Sequence, residues 1–440
     1  MAGVKEPELA KPGPWPLGVN NVAPAQSLPL DDNGNPTSLR LAVNVDLDNA
    51  GWPRRRAGTT LRVAHARAHS LFGGSHALFA VADGDLVAFD DGLAATTVVA
   101  GVGERYASFA EGPDDVLWSN GLQIGRILPD LSAAPAWIDT PLTPAVAAVG
   151  SGGLAAGEYA VSITAFDAAG RESGASPPVA LVVAANGGIL LTLPSMPAGA
   201  VRGRIYCSAA NGGLDEGETA LYAAQEFVPG TTSLLLGAFE PGRTCATQWL
   251  RPLPPGQFVR RWNGRSFVAA VNLLCWSEPL RDGLMHHDST LRFGADITLM
   301  EPVGEGGDGS GIFLADHARA YFLSGSKPSE WHRVVRYSHP AVRGTSVIAP
   351  GTAFGLDTTA PVACWLATNG VFCLGLPGGQ VVPMTEGRLA LAPGDHGAMA
   401  FREVDGLRQL ITTFLSGGVN SLAASDRAVA TVRRNGVAID

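Results

Sequence analysis

The sequence predicts an all-β protein: an irregular β-propeller of about six blades carrying an inserted fibronectin type III-like β-sandwich. Three observations predict it. Helical periodicity is absent, while 55 Gly and 31 Pro punctuate short β-branched and aromatic runs, which is an all-β composition. Six segments share one plan, two apolar strands joined by a tight turn, at a spacing typical of propeller blades. One long interval breaks that spacing and has a character of its own.

The six segments are LFAVADGDLVAFD around Asp83-Gly84, VLWSNGLQIGRI around Asn120-Gly121, FVAAVNLLCWS around Asn272, GIFLADHARAYFLSG around Asp316 to Arg319, CWLATNGVFCLG around Asn369-Gly370, and LITTFLSGGVNSLA around Gly417-Gly418. Asn-Gly and Asp-Gly between alternating hydrophobics are strong hairpin signals, because both central residues of a two-residue turn need positive φ. The turns fall 37, 151, 45, 53 and 48 residues apart. The 151-residue interval contains residues 142–252, where strands such as EYAVSITAF and GGILLTL alternate with turns every 8 to 12 residues and Pro-rich edges, the pattern of a small sandwich. The run AGEYAVSITAFDAAGRESGAS is similar to the central hairpin of a fibronectin type III domain, with Tyr159 in the strand and Glu172-Ser173 after the turn. Removing those 111 residues leaves 40 and restores the period. The expected organisation is an extended arm and first strand over 1–60, propeller blades over 61–141, the sandwich over 142–252 and further blades over 253–440. A pair of unrelated β-sandwiches is the competing architecture.

Composition narrows the function. The 440-residue chain carries 31 basic and 40 acidic side chains, a net charge of -9 and a pI of about 5.5, against the basic excess of a protein that binds by neutralising phosphates. Charged residues are only 16%, well under the usual quarter, which suggests surface covered by other subunits. Met1 to Pro16 alternates charges and prolines without an apolar core, so no secretory signal is expected, and no run approaches the length of a membrane span. The expectation is a protein made in the cytoplasm and kept there or released by lysis. Five scattered cysteines, Cys207, Cys245, Cys275, Cys364 and Cys373, are read as free buried thiols. A two-residue turn at Asn369-Gly370 would set Cys373 opposite Leu366.

Catalytic motifs are missing. No Gly-Lys, His-Glu or Gly-x-Ser-x-Gly occurs, which removes the phosphate-binding loop, the zincin helix and the nucleophile elbow. Met285-His286-His287-Asp288 could offer imidazoles to a metal, but adjacent residues of a strand point to opposite faces, and the motif reads as a loop or interface pair of histidines. Asn44-x-Asp46-x-Asp48 before Gly51 lacks the order and closing Glu of a calcium loop, and reads as a strand end and turn. Asp282, Asp296, Glu301, Glu305 and Asp308 cluster loosely in one blade, but no separation is readable for the pair that glycoside hydrolysis needs, and they read as carboxylates of a solvated loop. No catalytic residue, metal or cofactor is assigned. Arg54-Arg55-Arg56 is the most pointed polar feature: three adjacent guanidiniums repel unless partners accept their donors, so a structural or inter-subunit clamp is expected.

Gly18-Val19-Asn20-Asn21, Leu39 to Ala42, Asn44-Val45-Asp46, Gly51 and Arg54-Arg55-Arg56-Ala57-Gly58-Thr59 resemble the opening of the tail hub or nozzle proteins of short-tailed bacteriophages, the packaged-DNA stabilisation family. GQFVRRWNGRSFVAAVNLLCWSEPL and DITLMEPVGEGGDGSGIFLADHARAYFLSG resemble that family's later sequence. The resemblance implies a non-enzymatic virion protein: a hexameric ring below the portal and adaptor connector, assembled in host cytoplasm. Such a ring retains the packaged genome and forms the conduit for DNA ejection, with tail fibre or needle proteins as neighbours. DNA would pass without sequence-specific binding, and six acidic copies would keep it from sticking. Arg54, Arg55, Arg56, Asn44 and Asp46 are the expected interface residues, and the 142–252 insert an outward decoration or fibre-docking surface. The alternative is a carbohydrate-binding propeller and fibronectin adhesion protein at a phage tail tip or cell surface, for which the nine Trp would supply stacking faces. A propeller glycoside hydrolase is a third reading.

Overall fold

A computed structural model describes residues 13–42, 45–48, 50–55, 61–65, 67–212, 220–304, 309–325, 327–357, 359–404, 407–416, 427–433 and 436–439. Among them the regular elements are all strands, apart from three short 3-10 turns. The chain divides into two compact units, His65–Arg292 and Met1–Ala64 with Phe293–Asp440.

The dominant element is a four-stranded antiparallel meander. In the 65–292 unit three occur, spanning 68–99, 108–135 and 258–292. In the other unit one spans 299–337, and two more, over 341–383 and 393–439, join into an eight-stranded sheet. Their junction is a single parallel bridge, Arg343 opposite His396. Successive meanders pack face to face, so their middle strands are apolar on both sides. In Pro361–Ala367, Val362, Cys364 and Leu366 face a core shared with Leu410 and Phe414. The intervening Ala363, Trp365 and Ala367 face a core shared with Leu299, Phe313 and Phe322. This period-2 division between two cores explains the near-continuous hydrophobic runs. Trp365 is fully buried, and a Cβ on Gly375 would come within 2.8 Å of its ring and 2.6 Å of Phe313. Truncating Trp365 to Ala removes about 3–5 kcal/mol of packing.

In the 65–292 unit the same logic holds. Phe79, Val81 and Leu86 meet Phe109, Val116 and Trp118 in one core, whereas Ala110 and Leu117 meet Val259, Val268 and Cys275 in the next. Between the second and third meanders lie two facing sheets. A three-stranded sheet orders Ala145–Leu154, Gly187–Thr192 and Ser233–Leu236; a four-stranded one orders Val179–Val183, Gly157–Phe166, Arg202–Cys207 and Tyr222–Phe227. Tyr159, Val161, Ile163 and Ile205 of one sheet pack on Leu154, Ile189, Leu191 and Leu236 of the other. The outer side of Gly157–Phe166 is covered by its own return segment, where Ser162 Oγ donates to Ser176 O at 2.6 Å and Ser173 Oγ accepts from Ala165 N at 2.9 Å.

The turns depart from their sequence signals in instructive ways. Asp83-Gly84 is a two-residue hairpin turn with φ of 53° and 86°, pairing Ala82 with Asp85. At Asn369-Gly370 the connection is three residues, with Ala367 N donating to Val371 O at 2.8 Å and Gly370 alone at positive φ, the turn-plus-bulge solution. The register shifts by one, so Cys373 faces Trp365 and not Leu366. Asn120 and Asp316 each begin a four-residue loop: their side-chain oxygens accept the amides of Leu122 and Gln123, and of Ala318 and Arg319, as short polar side chains do. In FVAAVNLLCWS the turn is Val271-Asn272, with Val271 at φ 57°. Gln257 clasps this β-branched outlier by donating to Val271 O and accepting from Val271 N, both at 2.7 Å. Gly417-Gly418 lies outside the described residues.

Candidate functional site

Two places gather functional groups, one in each unit. In the 65–292 unit, a cavity of about 730 Å³ opens where the 108–135 meander, the 258–292 meander and the two-sheet segment meet. Trp137, Trp262, Leu128, Ile138 and Leu280 contribute apolar wall. Its polar floor is a chain of alternating charges. Arg171 Nε donates to Asp167 Oδ2 at 2.7 Å; Arg126 Nη2 lies 3.9 Å from Asp167 Oδ2 and Nη1 3.4 Å from Asp115 Oδ2. Arg261 then bridges Asp115 Oδ1 and Asp282 Oδ2, the latter at 2.8 Å, and Ser266 Oγ donates to Asp282 Oδ1.

Each member is placed by its element. Asp115 sits in the turn before Val116–Ser119, and Arg126 in Ile124–Ile127 also donates from Nε to Pro135 O at 3.0 Å. Asp167 and Arg171 frame the tight turn after Gly157–Phe166. Gly112 leaves room for the Arg261–Asp115 pair, since a Cβ there would stand 1.8 Å from Arg261 Nη1 and push the guanidinium from its place. Burial holds the Arg126 guanidinium below its ordinary value, against the pull of Asp115 and Asp167. At Arg261 burial acts the same way, but its hydrogen bond to Asp115 and the charge of Asp282 outweigh it and the value rises. Burial raises the Asp167 carboxyl, with Arg126 opposing. Asp115 and Asp282 have both oxygens engaged by guanidinium or hydroxyl, so the arrangement joins segments and fixes polar edges around a cavity.

The second place is the N-terminal arm. Val45–Leu47 pairs with Pro53–Arg55, setting Asp46 opposite Arg54 and Val45 opposite Arg55. Arg54 Nη2 lies 3.5 Å from Asp48 Oδ2 with its side chain 75% exposed. Asn44 and Arg56 lie outside the described residues. Asp48 takes no part in a calcium loop: its Oδ1 accepts from Ala50 N and Trp52 N, both at 2.9 Å. The Trp52 amide foremost holds the Asp48 carboxyl below the usual range, with the Ala50 amide and the Arg54 charge adding to it and desolvation opposing. Gly51 meets Trp15 so closely that a Cβ would sit 2.4 Å from the Trp15 carbonyl carbon. Asn21 ties the arm to the stretch between the 341–383 and 393–439 meanders, its Oδ1 accepting from Ala390 N at 2.7 Å and its backbone N donating to Arg388 O at 3.0 Å. The arm also exposes Leu17, Val22, Leu30, Leu41, Trp52 and Leu61.

Of the scattered carboxylates, Asp282 joins the charge chain, Glu301 is buried and accepts from Ser346 Oγ at 2.6 Å, and Glu305 and Asp308 lie outside the described residues. His286 and His287 do not point to opposite faces, as strand alternation implied; their ring centroids are 4.5 Å apart. The cysteines are free and buried, with burial pushing Cys275 up to about 11 and Cys207 and Cys373 to about 12. The charge chain escaped sequence reasoning because its members come from five separate stretches between 115 and 282. Its one local signal was Arg260-Arg261 in an otherwise apolar strand.

No protein-family model matches the chain, and no curated protein matches it. Among solved structures it is similar at 12% identity to PorZ, a surface component of the type-IX secretion system of Porphyromonas gingivalis, covering 88% of this chain and 55% of that one with a TM-score of 0.22. It is similar to BBS1N, solved in complex with ARL6DN, at 12% identity over 75% and 94% of the two chains, TM-score 0.19. Similarity to the tricorn protease is 10% over 83% and 43%, TM-score 0.22.

Proposed function

We propose that this chain is a structural subunit of a virion ring, the nozzle or hub of a bacteriophage tail. Its six four-stranded meanders would be the blades of an irregular propeller, and the 142–252 insert a fibronectin-like module. The observation that carries the reading is the arm, which combines exposed apolar side chains with an exposed arginine ladder on a segment braced by Asn21. Apolar surface of this kind marks an interaction face, and Arg is enriched at interfaces. In a hexamer below the portal and adaptor, Asp46, Arg54, Arg55, Arg56 and Asn44 would lie at subunit contacts, with genomic DNA passing an acidic bore.

The test is the native mass of the purified protein, alone and with the portal and adaptor products of its genome. A closed ring of about six copies supports the reading; a stable monomer indifferent to the connector overturns it. The second reading, a saccharide-binding adhesion protein, draws on the indoles of Trp137 and Trp262 beside fixed polar groups, since such pockets suit hydroxylated ligands. Glycan binding abolished by Trp262→Ala would favour it over the ring.

A further inference from the structure

The strand Leu284–His286 pairs with Leu250–Pro252, setting His286 opposite Leu250, and Met285 is fully buried. The chain then reverses: Ser289 N donates to His286 O at 3.0 Å and Thr290 N to Asp288 O at 2.6 Å. Strand alternation ends at His286, which is why His287 comes to the same side. Asp288 completes the group, with Oδ1 2.8 Å from His287 Nε2 and Oδ2 3.8 Å from His286 Nδ1. One ligand atom from each of the three residues lies within 4.8 Å of the others.

We propose that His286, His287 and Asp288 form a site for one divalent transition-metal ion of the zinc class, open on its solvent side to water or an outside ligand. The donor set argues the class: two imidazoles and one carboxylate suit Zn²⁺, Ni²⁺, Co²⁺ or Cu²⁺, whereas Ca²⁺ and Mg²⁺ favour all-oxygen shells. The distances argue the fit. Bonds of about 2.0–2.1 Å in a tetrahedron put ligands about 3.3 Å apart, and the two imidazole–carboxylate distances, one to each oxygen of Asp288, are 3.8 and 2.8 Å, on either side of that value. The backbone is anchored by the strand pair and the buried Met285, while the three side chains are 38%, 68% and 76% exposed, free to close by small rotations. Three ligands fill part of a coordination shell, and the remainder faces solvent. A plain carboxylate–imidazole ion pair is the competing account, and it needs no metal. The site stands independently of the ring reading.

The experiment is calorimetric titration of chelator-stripped full-length protein with Zn²⁺ and Ni²⁺, in parallel with Ca²⁺ and Mg²⁺. One Zn²⁺ per chain is expected, with a dissociation constant on the order of 10 μM. Either His286→Ala or His287→Ala weakens it at least about tenfold, and Ca²⁺ and Mg²⁺ leave no measurable heat. Absence of Zn²⁺ binding up to about 1 mM, or unchanged binding in the double histidine variant, overturns the proposal. A readout without variants is paramagnetic broadening in the unmodified protein: Ni²⁺ should erase the ring signals of these two histidines before those of the other seven of the nine, and uniform broadening overturns the site.

Discussion

The charge chain of the 65–292 unit and the arginine ladder of the arm use the same side chains to opposite effect. Arg126 and Arg261 are 9% and 16% exposed and each touches two carboxylates; Arg54 is 75% exposed and reaches one at 3.5 Å. A desolvated guanidinium is held in place because losing a partner strands a buried charge, whereas an exposed one gains little from its neighbour. The difference teaches that the conspicuous run in a sequence need not be the one that builds the subunit. Dispersed arginines fix the architecture here, whereas Arg54 and Arg55 of the cluster stand exposed on a short two-stranded ribbon.

The largest break in that contrast is Arg261→Met, which leaves Asp115 and Asp282 without their shared partner and lowers stability by about 3–5 kcal/mol in urea denaturation. Gly112→Ala attacks the same pair sterically through the 1.8 Å approach to Arg261, and about 1–3 kcal/mol of loss is expected. Thiol labelling sharpens the point: Cys275, pushed up to about 11 by burial, stays unlabelled at neutral pH in the intact protein and becomes reactive in Arg261→Met. Arg54→Ser, by contrast, changes monomer stability by only about 0–1 kcal/mol, while ring assembly falls; unchanged assembly together with Arg55→Ser and Arg56→Ser sinks the clamp. The smallest effect is a pH dependence in the arm. Because the folded Asp48 carboxyl lies below its unfolded value of 3.8, its contribution is full above that value and disappears as pH falls through the lower folded one. Melting curves of the parent protein and Asp48→Asn should therefore differ at neutral pH and converge in strong acid.

Local chemistry in the sequence carried the fold far. The unbroken apolar runs PVACWLA and LFAVA mark strands buried on both faces, and Asp83-Gly84 marks a turn because its backbone angles leave few residue choices. Where a side chain can serve the backbone, the signal shifts: Asn120 caps a loop instead of occupying a two-residue turn, and Asn369-Gly370 adds a residue and moves the register. The two-residue Asn263-Gly264 turn, at φ 48° and 66°, was passed over beside Val271-Asn272, whose strained Val is tolerable only with Gln257 across from it. The cavity was illegible, since Asp115, Asp167 and Asp282 acquire meaning only when three segments converge. For the histidine pair only the argument from opposite faces failed, for the opposite reason: a rule for strands was extended one residue past the strand's end, and His287 lies in the turn beyond it.

The chain leaves the 108–135 meander at Ala136 and returns at Leu253, where both residues enter the same core and Trp137 Nε1 donates to Leu253 O at 3.0 Å. Departure and return are thus neighbours, so the excursion between them is a cartridge in a socket. Swapping it for a short linker would gain a smaller fold without stretching the chain, because the two ends already adjoin. Against that gain stands Arg126, which would keep Asp115 but lose Asp167. A different module with adjoining ends, carrying one acid at the Asp167 position, could be seated there without disturbing the sheets on either side.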